Sequence, residues 1–157
     1  MRHPSKAAGR GFTLIELLVV IAIIGILATI AVVALGDARG KSRDTKRASD
    51  AQSINTALAL YYADTNGYPA DTGVVLGVGN FKALCTGGWK AACAMGDTVY
   101  MGIVPAAPNP PDGGCTSGQN DYTYTYGSGG YSVTFCLGRQ VGDLGPGVRA
   151  ASEDGIN

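Results

Sequence analysis

Gly11-Phe12-Thr13-Leu14-Ile15-Glu16 opens an apolar run that continues to Leu35. From Phe12 to Leu35 about 24 residues carry a single charge, Glu16, and the hydrocarbon core of a bilayer takes roughly 20 apolar residues of helix. The run is long enough to span a membrane. It also exceeds the roughly 7–15-residue apolar region of a removable secretory signal. Glu16 is the anomaly, because an ionisable residue inside a membrane helix is costly and marks a functional position. A carboxylate in apolar surroundings is tolerated when it is paired. The free N–H groups and the positive end of a helix start supply part of that compensation.

A short basic leader, Met1 to Gly11 with Arg2, Lys6 and Arg10, precedes the run and is excluded from fold reasoning. The sequence Phe-Thr-Leu-Ile-Glu-Leu-Leu-Val-Val-Ile-Ala-Ile-Ile-Gly-Ile-Leu-Ala from Phe12 onward closely resembles the class III signal of type IV pilins and type II secretion pseudopilins. The resemblance implies cleavage after Gly11 by a prepilin peptidase, an aspartyl enzyme of the membrane, and methylation of the new Phe12 amine. It implies that Glu16 compensates a terminal amine during filament assembly. The physics agrees, since cleavage creates an ammonium about one turn from Glu16. The competing reading is an uncleaved signal anchor that happens to contain a glutamate. One departure is Val33, where many members of that family have proline, so no proline kink is expected there.

The formal charge of +0 conceals an asymmetry. Without Arg2, Lys6 and Arg10 the 12 basic residues fall to nine against 12 acidic ones, a formal −3. Arg39, Lys41, Arg43, Lys46 and Arg47 crowd just past the apolar run, whereas from Ala48 onward Lys82, Lys90, Arg139 and Arg149 face nine acidic residues. A basic collar beside an acidic head suggests contacts between neighbouring subunits; the plainer reading is a solvated flank meeting lipid headgroups. Both leader and collar are basic, so charge counting does not orient the helix. The resemblance does, placing the leader in the cytoplasm and the head outside.

Four cysteines suit that oxidising side and two disulfides. Of the three connectivities, Cys85–Cys93 and Cys115–Cys136 are favoured, because each closes a short local loop around a turn or hairpin. A zinc site is the rival, but no Cys-x-x-Cys occurs and the one histidine, His3, lies in the leader.

The helix can continue from Phe12 past the collar, weakened by Gly36 and Gly40 but uninterrupted by proline before Pro69. Ala51, Ile54, Leu58 and Tyr61 then form one apolar stripe of an amphipathic helix. Asp64-Thr-Asn-Gly-Tyr-Pro69 stops it, with Gly67 as the expected left-handed cap. This ending, with Tyr61-Tyr62 before it, is similar to the helix ending of major pseudopilins and short pilins. Next, Val74–Val78 reads as a short strand, Phe81–Leu84 as a helical turn, Val99–Val104 as a strand, and Pro105–Gly118 as a loop. Tyr122, Tyr124 and Tyr126 alternate with threonines, Gly127–Gly130 turns the chain, and Tyr131, Val133, Phe135 and Leu137 alternate on the return. That is an antiparallel hairpin whose aromatic face should pack on the Ile54/Leu58/Tyr61 stripe. Gly138–Asn157 has no clear period and is expected to wrap an edge or fray. Gly makes up 24 of 157 residues, about twice the usual share, which suits a loop-rich head.

No catalytic constellation appears: there is no histidine after the leader, no Gly-x-Ser-x-Gly, no P-loop and no His-Glu-x-x-His. Some major pseudopilins bind calcium in their last loops. Here Asp112, Asp121, Asp143, Glu153 and Asp154 could contribute oxygens, but none falls in an EF-hand-like spacing. The eight tyrosines invite base or sugar stacking, yet the acidic head argues against direct nucleic-acid binding.

The expected fold is α+β and pilin-like, a long N-terminal helix packed by its second half on a small antiparallel sheet. The expected parts are a cleaved leader (1–11), a transmembrane and filament-core helix (12–35), an amphipathic continuation (36–64) and a globular head (65–157). The expected function is structural rather than enzymatic: a subunit of a type IV pilus or type II secretion pseudopilus that polymerises through its N-terminal helix. The resemblance implies as partners other copies of the chain, the prepilin peptidase, an inner-membrane assembly platform and, before assembly, lipid. No cofactor is expected beyond the calcium weighed above. The chain would first sit as a single-pass protein in the inner membrane with its head extracytoplasmic, then in a periplasmic or cell-surface filament. The alternatives are an anchored binding module that does not polymerise and a membrane-tethered enzyme.

Overall fold

The computed structural model describes residues 11–157, so the leader expected over 1–11 lies, apart from Gly11, outside the described residues. The elements in chain order are α1 (Leu14–Thr65), β1 (Thr72–Val75), β2 (Ala83–Cys85), β3 (Gly88–Lys90), β4 (Val99–Met101), α2 (Ser117–Asn120), β5 (Thr123–Gly127), β6 (Gly130–Leu137), β7 (Gly147–Ser152) and β8 (Gly155–Ile156). The chain divides after Ala38 into two units.

In the first unit, α1 carries the apolar run with every side chain exposed, and Val33 lies inside the helix without a break. The large apolar side chains from Phe12 to Leu35 are between 48% and 89% exposed. A helix apolar all round is suited to a membrane or to burial by other helices.

In the second unit, Gly40, Asp44, Arg47, Ala51, Ile54, Leu58 and Tyr61 of α1 are buried, alternately four and three residues apart. This one face of the helix meets two antiparallel sheets, where a single small sheet was expected. The larger has the order β1-β5-β6-β7-β8 and the smaller β3-β2-β4. The hairpin has the expected register, Tyr124 opposite Val133 and Tyr126 opposite Tyr131. Its inner face buries Tyr122, Tyr124, Tyr131, Val133, Phe135 and Leu137 in one cluster with Ile54, Leu58 and Tyr61. Each aliphatic or aromatic side chain so buried contributes roughly 1.5–3 kcal/mol. The phenols keep their polar tips satisfied: Tyr122 donates to Asp50 Oδ2 at 2.9 Å, Tyr124 to the Pro69 carbonyl at 2.7 Å and Tyr131 to Asn55 Oδ1 at 2.8 Å. Burial pushes the pKa of all three well above the usual phenol value.

Four local expectations are corrected. The helix ends not on Gly67 but on Asn66, whose φ of 55° is left-handed and whose N–H donates to the Tyr62 carbonyl at 2.8 Å; asparagine tolerates that region well enough to cap. Phe81–Leu84 forms no helical turn. Leu84 is extended between Trp89 and Met101, because the Cys85–Cys93 loop folds β3 back on β2. The strand expected at Val74–Val78 lies earlier, at Thr72–Val75, since Gly77 turns with a φ of 80° where a Cβ would meet the Pro105 carbonyl oxygen at 2.5 Å. The tail neither frays nor merely wraps: β7 pairs with β6 along its length, and β8 closes the edge.

Both disulfides are those favoured from the sequence, Cys85–Cys93 and Cys115–Cys136, with Cα separations of 5.7 and 5.9 Å.

Candidate functional site

Gly11, Phe12 and Thr13 precede the helix in irregular backbone and are exposed. Phe12 is 89% exposed. Thr13 caps α1. Its Oγ1 accepts from the Glu16 N–H at 3.2 Å, while Glu16 Oε2 accepts from the Thr13 N–H and from Thr13 Oγ1, each at 2.9 Å. This reciprocal arrangement is a capping box, in which a threonine and a glutamate three residues on satisfy the free donors of a helix start. The Thr-x-x-Glu spacing is the sequence-level signal of this cap, and the charge on Glu16 alone does not reveal the part Thr13 plays. The carboxylate therefore has polar partners within its own chain, while no cation pairs with it among the described residues. Beyond it α1 is long and apolar enough to cross a membrane.

A second constellation fastens the loop that follows Pro105 onto α1 within the second unit. Arg47, wholly buried, donates from one terminal nitrogen to Asp44 Oδ1 at 2.7 Å and to Asp112 Oδ2 at 3.0 Å. Its other terminal nitrogen donates to the carbonyls of Pro108 at 2.8 Å and Pro110 at 3.1 Å. Arg43 Nε donates to Asp112 Oδ2 at 2.7 Å, making a two-pronged grip with its NH2 on Oδ1. Asp44 Oδ1 also accepts from the Gly138 N–H at 3.0 Å, which ties in the end of β6 beside Cys136. Two glycines make room. A Cβ on Gly40 would lie 2.1 Å from the Arg139 guanidinium, and one on Gly138 would lie 2.3 Å from the Asp112 carbonyl carbon.

The basic collar is thus split, and the reading as a solvated flank holds only for Arg39, Lys41 and Lys46. Arg43 and Arg47 turn inward to Asp112, Lys46 pairs with Asp50 at 3.0 Å, and Arg39 and Lys41 are exposed. The signal was present in part, because Gly40, Asp44 and Arg47 extend the four-and-three spacing of the apolar stripe backwards. The polar side chains of Asp44 and Arg47 mask it.

Hydrogen bonding from Arg43, and then from Arg47, holds Asp112 at about 2, below an ordinary aspartate at 3.8, against the opposing effect of burial. A depressed carboxylate contributes stability that is complete above the ordinary value and is lost as the pH falls through the folded one. Acid titration of the head should accordingly lose on the order of 2 kcal/mol between about pH 4 and pH 2 through this group. Asp112→Asn should flatten that part of the profile, and an unchanged slope would count against the assignment.

The carboxylates considered for calcium do not converge. Asp112 is taken by arginines, and no three His, Cys, Asp or Glu side chains among the described residues are placed to hold a metal.

Comparison with known proteins places the N-terminal segment. The prokaryotic N-terminal methylation motif matches residues 7–32. The chain is similar to type II secretion system core protein G of Pectobacterium carotovorum subsp. carotovorum, 44% identical over 61 residues, 39% of each chain. It is similar to fimbrial protein EcpC of Eikenella corrodens, 46% identical over 66 residues, 42% of this chain and 43% of that one. Core protein G of Escherichia coli K12 is 43% identical over 60 residues, 38% and 41% of the two chains. The chain thus spans about two fifths of the length of these curated relatives. No solved structure matches.

Proposed function

We propose, from the premise that this chain belongs to the type IV pilin and type II secretion pseudopilin family, that it is a structural subunit of a helical filament. Prepilin peptidase cuts after Gly11, Phe12 becomes the methylated N-terminus, and the subunit polymerises through the first part of α1. The observation that carries this reading is the helix itself, an apolar surface with no buried face that begins in a motif matched over residues 7–32. Such a helix leaves a bilayer when other apolar helices replace the lipid around it. Glu16 then sets the register, because an incoming subunit that presents its Phe12 ammonium pairs the charge that the Thr13 cap solvates but does not neutralise. The assembly platform and the membrane are the other partners of this cycle. Its location is the inner membrane with the head extracytoplasmic, followed by the filament.

Intact mass, non-reduced and reduced, on filaments sheared from native cells tests this. The expected species starts at methylated Phe12 and gains four hydrogens on reduction. Recovery in the sheared fraction would identify a surface pilus, and recovery of the same species from membranes alone a periplasmic pseudopilus or an anchored module that does not polymerise. A full-length chain, or one cut within the apolar run, would overturn the reading of residues 11–16.

A further inference from the structure

Three tyrosines and a carboxylate surround a groove on the head. Tyr62 leaves the last turns of α1, Tyr68 follows the helix end, Tyr126 lies at the end of β5, and Glu153 sits on the β7–β8 turn. Together they line a concavity of about 430 Å³. Tyr62 and Tyr68 stack at 4.8 Å between ring centroids, and the Tyr68 hydroxyl donates to Glu153 Oε2 at 3.2 Å. Tyr126 continues the inward face of β5 beyond the point where α1 covers it, so it is 39% exposed where Tyr124 is fully buried. Tyr62 is 42% exposed. A second concavity, reached through the shared Tyr62, Tyr68 and Glu153, is bordered by Asp154. Aromatic faces beside unpaired carboxylates form a receptor for a cation, because the ring quadrupole and the negative charge act together.

Among the described residues neither Glu153 nor Asp154 forms an ion pair, and neither do Arg39 and Lys41. The basic collar and the acidic groove are therefore left with complementary charges after each has satisfied its own contacts. The geometry points to a subunit contact: the groove at Tyr62, Tyr68, Tyr126 and Glu153 receives the Arg39–Lys41 cations of a second copy. The inference rests on the filament reading, in which pairing of Glu16 with a neighbour's Phe12 amine sets the helices parallel. Lys41 and Tyr62 are 21 residues apart on one helix, or about 30 Å at 1.5 Å per residue. The copy that supplies the cation is displaced by that distance along the helix direction.

Cysteines at Lys41 and Asp154 of the full chain, in cells that make filaments, test the contact. Sheared filaments of the Lys41→Cys/Asp154→Cys variant should run as a covalent ladder on non-reducing gels, with no ladder from either single variant. Lys41→Glu and Glu153→Lys should each lower filament recovery several-fold, and the two together should restore it. Normal filaments without a ladder and indifferent to both charge changes would overturn the contact while leaving the filament reading in place. A ladder that forms with Lys82→Cys instead of Lys41→Cys would overturn the choice of cation. If the wild-type chain yields no filament of any kind, the subunit reading fails and this contact falls with it.

Discussion

Glu16→Ala is expected to enter the membrane at least as well as the wild-type chain and to yield little filament. Removing an ionisable group from an apolar helix makes insertion easier, so a loss of filament would not reflect failed targeting. If the proposed contact between a Phe12 ammonium and the Glu16 carboxylate forms, it is charge-assisted, and its removal should reduce recovered filament about tenfold or more. The capping box makes Glu16→Gln the discriminating variant. Glutamine at the third position of a helix can still reach back to the Thr13 N–H, so it keeps the cap and loses the charge. If Glu16 acts through charge, Glu16→Gln should assemble as poorly as Glu16→Ala. If it serves only to start the helix, Glu16→Gln should assemble like the wild type and Thr13→Ala should be the damaging change. Immunoblots of sheared and membrane fractions read both arms.

Arg47→Ala should unfold the head more readily than any exposed substitution. It removes four hydrogen bonds at once and leaves Asp44, fully buried, with the Gly138 N–H at 3.0 Å and the Arg139 guanidinium only at 4.0 Å. Breaking a buried pair by deleting one partner costs about 3–5 kcal/mol, a large share of a typical domain stability of about 5–15 kcal/mol. Urea unfolding of the full chain in detergent, followed by near-ultraviolet circular dichroism of the tyrosines, measures it. A loss below about 1 kcal/mol would mean that Asp44 and Asp112 find water or another cation readily. The triple variant Asp44→Leu/Arg47→Met/Asp112→Leu should recover much of the loss, because it leaves no uncompensated buried charge. Arg43 and Arg139, both partly exposed, can then turn to solvent.

Residues close in sequence carried most of the legible information. The apolar run, the Thr13-to-Glu16 spacing and the motif around Gly11 and Phe12 are local, and periodicity placed the Ile54/Leu58/Tyr61 stripe and the tyrosine hairpin. The two cysteine pairings were accessible because each closes a short loop. Contacts distant in sequence were not legible. That Asp112 grips Arg43 and Arg47, 65 or more residues away, depends on where the Pro105–Gly118 loop lands, and nothing local encodes that position. Asp44 and Arg47 share the buried spacing of the stripe, yet charged side chains at such positions ordinarily mean solvent. The strand partner of Gly147–Ser152 was likewise invisible: an edge becomes a strand through the hydrogen-bonding row that β6 offers it, with no strong alternation of its own. The sequence alone determined the long helix and its apolar first part, since these follow from composition and short spacing, and the methylation-motif match over residues 7–32 lies in the same local stretch. Tertiary structure alone decided which collar cations turn inward and which stay exposed, because a charge is buried only where folding brings it a counter-charge.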